Sequence, residues 1–255
     1  MKRLIYKIPV IILLLLAGCK NPVEPEPVPI NIDFYPLNSN MISVYNYDTL
    51  DVTGTAFRAG DKFVTYTEGT VILNTPYFAQ KDSLIQSRDT QISTSFVRKT
   101  NAGVYYYVDT TGSALIIPDS LRNLVLVDVE TIALSQPLFD LKYWSVYKIL
   151  IANFSILSVN AGFQGVDTLD LTVNSVPVRE AAAKIEYGLT ILIPDFGSGE
   201  TRVDLSGRVW YSAKYGVVKK EGNKGLFDFI QGLPLDLENA DLRVRETLTG
   251  FIDRM

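Results

Sequence analysis

From Asp33 onward the chain alternates apolar and polar residues with a period of two over most of its length. Ser43-Val44-Tyr45-Asn46-Tyr47, Lys62-Phe63-Val64-Thr65-Tyr66-Thr67 and Gly103-Val104-Tyr105-Tyr106-Tyr107-Val108 are dense in β-branched and aromatic residues. Those types fit a pleated, half-buried surface. Leu124 to Val129 begins a further strand, and longer runs follow at Ser145–Val159, Ala183–Ile193, Arg202–Ala213 and Asp241–Phe251. Turn-forming residues punctuate them at 109–112, 195–199 and 221–225. Arg179-Glu180-Ala181-Ala182-Ala183-Lys184 is helical by propensity, but it runs directly into Ile185-Glu186-Tyr187-Gly188-Leu189-Thr190-Ile191, which favours one long strand across both. A short helix is expected near Gly225–Gly232, where Leu226, Phe227, Phe229 and Ile230 form a local apolar face. No long amphipathic helices alternate with the strands, which argues against a parallel α/β sheet. The expected class is mainly β: antiparallel sheets forming a sandwich, an open barrel or a strongly curved sheet, with at most one or two short helices. A single β-rich domain would span 32–255, with room for two packed halves meeting near residue 135.

The pattern upstream is different. Lys2, Arg3 and Lys7 precede an apolar run from Ile8 to Leu16, and Ala17-Gly18-Cys19 follows. A basic start, a short hydrophobic centre and small residues before a cut site make a secretory signal peptide, here residues 1–18. The apolar run falls short of the roughly 20 residues a membrane span needs. Leu16-Ala17-Gly18-Cys19 resembles the lipobox of bacterial lipoproteins at all four positions. That resemblance implies diacylglycerol on the Cys19 thiol, cleavage before Cys19 and further acylation of the new amino group. Several acyl chains make a lasting anchor where one binds only marginally. Residues 19–31 then form a tether: prolines at 22, 25, 27 and 29 interleave with Glu24, Glu26 and valines, a composition that favours extended polyproline II. At about 3.1 Å per residue, residues 20–31 would span on the order of 35 Å.

Composition narrows the chemistry. Removing residues 1–18 takes away three bases and no acid, leaving 21 basic and 28 acidic residues, a net charge of −7. With no basic aromatic patch, nucleic acid is not an expected partner. Cys19 is the only cysteine, so its lipidation leaves neither a disulfide framework nor a redox pair. There is no histidine, which removes Ser-His-Asp, Cys-His and zinc-hydrolase constellations.

A second resemblance rests on Asp33-Phe34-Tyr35-Pro36-Leu37, on Pro137-Leu138 with Trp144, and on Trp210 to Lys219. These stretches resemble a loose group of bacterial envelope lipoproteins, mostly uncharacterised, that pair a Tyr-Pro-Leu start with a late Trp…Gly-Val-Val-Lys strand pair. Where that group has Gly-x-x-Trp after Pro-Leu, this chain has Asn38-Ser39-Asn40-Met41-Ile42. The group shares no common activity, so the resemblance implies a β-rich envelope protein and no reaction.

Carboxylates are the catalytic groups that remain. Asp167 and Asp170, like Asp48 and Asp51, are three apart, which places them on opposite faces of a strand. Asp195, Glu200 and Asp204 flank a glycine-rich turn without the spacing of a calcium loop. Gly216-Val217-Val218-Lys219-Lys220 lacks the frame of a phosphate loop, and Asn153-Phe154-Ser155 matches a glycosylation sequon inside an apolar strand. No catalytic, metal-ligating or cofactor-binding residue emerges. The aromatic residues Tyr105, Tyr106, Tyr107, Trp144, Trp210 and Tyr211 are the candidates for a binding surface, because an apolar body with a polar tip suits grooves and interfaces as well as sheet packing. The expectation is a non-catalytic envelope module that is attached to the outer membrane through Cys19 and binds an envelope protein, glycan or lipid. A carrier of apolar ligands and a carboxylate-dependent glycan hydrolase are the alternatives.

Overall fold

The structure, a computed structural model, describes residues 30, 32–87, 89–110, 125–151, 154–195, 199–236 and 238–253. The expected signal peptide, Cys19 and nearly all of the tether lie outside the described residues.

Strands dominate, as the alternation implies. The first group comprises β1 (Ile42–Leu50), β2 (Ala56–Ile72), β3 (Thr75–Gln86), β4 (Asp89–Thr100) and β5 (Gly103–Tyr107). After β6 (Val125–Val127) and β7 (Glu130–Ser135) come β8 (Tyr143–Ile151), β9 (Phe154–Val173), β10 (Val176–Asp195) and β11 (Gly199–Ser212). β12 (Gly216–Asn223), the helix α1 (Lys224–Ile230) and β13 (Arg243–Ile252) complete the elements of the described residues. The helix falls where the local apolar face predicts it, and β10 runs straight through the alanine stretch. Helical propensity there is overridden because Ala182, Ala183 and Ile185 are fully buried in the sheet.

All thirteen strands form one antiparallel sheet, in the order β6-β8-β9-β10-β11-β12-β13-β1-β2-β3-β4-β5-β7. It does not close into a barrel, and among the three expected architectures the curved open sheet is the one observed. Its concave face encloses one hydrophobic core drawn from strands along the whole order, among them Val97, Leu134, Val159, Ile185, Val218 and Leu248.

Side chains, not ladder bonds, bring the two ends together. Trp144 on β8 donates its indole N–H to the Ile132 carbonyl on β7 at 2.9 Å. Tyr187 on β10 donates its hydroxyl to the Ala133 carbonyl at 2.5 Å and lies 2.8 Å from the Tyr211 hydroxyl. β7 is an edge strand, and these donors consume carbonyls that would otherwise template another chain. At the other margin, β9 and β10 extend well beyond β8. Gly165, with φ +102°, sits beside a register shift in this hairpin, the backbone conformation a bend requires and glycine permits. The hairpin tip then meets β13: the Asn174 backbone N–H donates to the Thr249 carbonyl, and its side chain both donates to and accepts from the Phe251 backbone.

Tyr187→Phe keeps the ring and removes the hydroxyl that joins β10 to β7. The buried Ala133 carbonyl and Tyr211 hydroxyl then lose a partner, and the expected loss of stability is about 1–3 kcal/mol, read as a lower urea midpoint. An unchanged midpoint would show that the seam is held by apolar packing alone.

Candidate functional site

The most unusual chemistry lies on the concave face. In β13 the inward positions read Val244, Glu246, Leu248; in β2 they read Lys62, Val64, Tyr66. A charge thus replaces an apolar residue at a position that the pleat directs into the core. Lys62 lies 2.9 Å from Asp82 on β3 and 3.0 Å from Glu246 on β13, reaching past β1 in the second case. Lys220 on β12 lies 3.6 Å from Glu246. From Asp82 the network continues through Gln80 to the Tyr106 hydroxyl, at 2.9 and 2.8 Å, and on to Tyr35 and Tyr66 at 2.9 and 3.1 Å. All of these side chains are buried.

Charge compensation keeps Lys62 and Glu246 ionised. Burial alone would raise the Glu246 carboxyl, but Lys220 and Lys62 hold it below the ordinary glutamate value. Burial would likewise pull Lys62 down, and Asp82 and Glu246 outweigh it, so this ammonium titrates well above its usual range. Lys220, whose ion-pair partner Glu246 is shared with Lys62, goes the other way: burial depresses it, and Glu246 opposes the shift only in part. Burial also raises Tyr35, Tyr66 and Tyr106, so the hydroxyl chain remains protonated.

Beside this cluster α1 crosses the concave face. Phe227 seats on Gly207, where any Cβ would lie within 2.6 Å of its ring, so a side chain there would lift the helix. Lys220 lies 5.9 Å below the same ring. Two cavities of about 180 and 370 Å³ open beside the helix. Lys62, Asp82, Lys220 and Glu246 line the smaller; Phe57, Arg58, Gln86 and Asp236 line the larger; and Tyr47, Lys224 and Asp228 are common to both. The lining is mixed and most of its charges are paired, which suits a polar group and offers no dry channel for an acyl chain.

The six aromatic candidates divide among separate places. Tyr106 and Tyr211 point into the core, as their neighbours' alternation demands. Tyr105 and Tyr107 lie half-buried on the convex face, Tyr105 under the Arg98 guanidinium at 4.4 Å and Tyr107 edge-on to Tyr77. Arg98 grips Glu130 with two hydrogen bonds of 2.5 and 2.6 Å, and Tyr77 donates to the same carboxylate. Burial would raise Glu130, yet Arg98 and Tyr77 hold it low. Trp144 occupies the seam between β7 and β8. Trp210 is buried on the convex face between Lys184 and Lys219, its indole N–H donated to Asp167 at 2.8 Å. The structure therefore brings Tyr105 with Tyr107 on the convex face and Tyr106 with Tyr211 around Tyr35 in the core, and leaves Trp144 and Trp210 apart.

Two of the acids singled out by spacing hold structure locally. Asp51 caps its own turn by accepting from Thr53 and Thr55, and Asp204 accepts from Thr190 and Arg202. The buried network escaped spacing rules, though the period-two misfits Lys62 and Glu246 were its visible signal.

No family model matches the chain, and no curated protein matches it in sequence. Two solved structures are similar. One is a candidate lipoprotein from Parabacteroides distasonis ATCC 8503, with 15 % identity and a TM-score of 0.42, covering 88 % of this chain and 100 % of that one. The other is a candidate exported protein with a YmcC-like fold from Bacteroides fragilis NCTC 9343, with 12 % identity and a TM-score of 0.46, covering 87 % and 100 %. Neither likeness bears on function.

The network has a defined pH signature. Glu246, depressed in the fold, contributes stability that is present above its ordinary value of 4.5 and is lost as pH falls through its folded value. Lys62 and the buried tyrosines, raised in the fold, contribute stability that is present below their ordinary values of 10.5 and 10.0 and is lost as pH rises. Urea midpoints should therefore be flat at neutral pH and fall on both sides, and Glu246→Gln should flatten the acid limb. Lys62→Met should cost about 3–5 kcal/mol by leaving buried Asp82 with no cation and Glu246 with Lys220 alone. A loss below about 1 kcal/mol, the worth of an exposed pair, would show that water reaches the cluster.

Proposed function

We propose that this chain is a lipid-anchored protein of the bacterial cell envelope whose β-structure is a non-catalytic binding or assembly module. The observation that carries the non-catalytic part is the state of the acids: buried Asp82 and Glu246 share Lys62, and half-buried Glu130 is held by Arg98. A glycan hydrolase needs a carboxyl raised enough to deliver a proton, whereas Glu246 and Glu130 are both lowered. The carrier reading is disfavoured by an interior filled with tyrosines and paired charges. The complete lipobox at Leu16–Cys19 and the proline-rich tether support the anchor. Lys20 stands where an aspartate would retain a lipoprotein in the inner membrane of some bacteria, which favours the outer membrane. The polar cleft beside α1 is the binding site of this reading, with the exposed Phe57 at its larger cavity.

In cell fractions the protein should be released by detergent and not by high salt, because lipid attachment is hydrophobic and unscreened. Cys19→Ala should yield a soluble or uncleaved form; the same cleavage with outer-membrane fractionation would overturn the anchor. A photoreactive side chain at position 57 should give a discrete adduct in envelope preparations, and reproducible turnover of a glycan by the purified protein would defeat the non-catalytic reading.

A further inference from the structure

The strand registers give the curled sheet two unlike ends. At one end lie the starts of β1, β8 and β12, the ends of β7, β11 and β13, and the β2–β3 and β9–β10 hairpin tips. The described chain enters at the same end: Ile30 bridges Leu138, with its N–H on the Leu138 carbonyl at 2.6 Å. Only residues 20–29 separate Ile30 from Cys19. Helix α1 occupies the opposite end, after β12 and before β13.

Two leucines at the tether end break a backbone rule. Among the described residues, seven non-glycine residues have positive φ: Asn40, Asn74, Asn174, Ser87, Ser175, Leu73 and Leu141. Asparagine tolerates that region through local hydrogen bonds, and small polar serine is at home in turns; leucine has no such compensation there. Leu73, in the β2–β3 turn, has φ 49° and is 70 % exposed; Leu141, in the loop before β8, has φ 60° and is 80 % exposed. Burial therefore does not compensate either strained position. Ile32, Val71 and Tyr143 add exposed apolar surface at the same end. Single exposed apolar residues are ordinary; strained leucines held out beside the membrane tether are not.

We propose that this end of the sheet rests on the membrane, with Leu73 and Leu141 inserted at the level of the acyl-chain boundary. The inference rests on the lipid-anchor reading and adds a surface to it. The tether supplies the affinity that a few side chains lack, since it confines the surface to within about 35 Å of the bilayer and so to a high effective concentration. Both tryptophans, Trp144 and Trp210, lie close to this end and report on it.

The test uses the full lipidated protein in phosphatidylethanolamine–phosphatidylglycerol vesicles, with or without bromine near the top of the acyl chains. Bromine should quench the tryptophan emission of the wild type, and Leu73→Asn with Leu141→Asn should lose most of that quenching while still floating with the vesicles. Asparagine suits the left-handed backbone, so the urea midpoint of the double variant should hold or rise, which separates lost membrane contact from lost fold. Leu73→Gly with Leu141→Gly gives the same separation if the asparagines perturb the turns. Wild type that floats without being quenched overturns the surface and leaves the anchor standing. Failure to float overturns the anchor itself. A dimer in detergent that the double variant dissolves, with quenching unchanged, would make this end a contact between copies and overturn the proposal.

Discussion

The concave face depends on one buried ammonium. Lys62 is the only cation within direct reach of both Asp82 and Glu246 among the described ion pairs, and it connects strands on either side of β1. A flat sheet would separate β2 from β13 by two strand spacings, roughly 10 Å, with their side chains parallel. Concave curvature tips the side chains toward one another and makes a single lysine long enough. Once curvature is imposed, the tyrosines have no room to leave: Tyr35, Tyr66 and Tyr106 must satisfy one another's hydroxyls, and Gln80 links them to the acid pair. A half-satisfied network of this kind would cost more than an apolar core, so its members stand or fall together.

The same curvature sets how the sheet ends. Ladder closure between β7 and β8 would require matched registers and tilt around all the strands. Here β7 is met by an indole and a phenol, which accept a wider range of approach than a row of amides. The side-chain seam terminates the sheet without closing it, and it leaves the Ile132 and Ala133 carbonyls occupied. The long β9–β10 hairpin performs the corresponding service for β13, through the Asn174 side chain acting as both donor and acceptor.

Much of this was legible in local pattern and some was not. Period-two alternation and tight turns specify antiparallel strands, and they carried β10 through Ala181–Ala183 against propensity. The apolar face at Leu226, Phe227, Phe229 and Ile230 announced α1 because a helix this short needs burial to exist. Sheet order, curvature and the β7–β8 seam had no local signal, since they follow from contacts such as Trp144 with Ile132 and Tyr187 with Ala133. For the aromatics, composition marks a tyrosine and cannot say which face it takes. Tyr105, Tyr106 and Tyr107 are chemically identical, yet the pleat sends the middle one to the core network and its neighbours to Arg98 and Tyr77. Lys62 and Glu246 show the converse. A charge in an inward register is a local misfit that can be read, but its partner on a distant strand cannot.

A curled sheet offers two faces and two ends for recognition, and here they are unequally free. The concave face is taken up by the core and the paired charges. Much of the convex face is occupied by ion pairs such as Arg208 with Glu186 across strands and Arg202 with Asp204 along β11, which are exposed and contribute little energy. Such pairs keep a surface soluble and commit it to no partner. Specificity is then left to the ends, and these differ in chemistry: one carries α1 with a polar, charge-lined cleft, the other carries strained apolar tips beside the tether. A protein held to a membrane at one end must present its other chemistry at the opposite end, because the bilayer fixes which way the anchored end faces. With the tethered end held to the bilayer as proposed, the polar cleft beside α1 is the surface directed away from lipid.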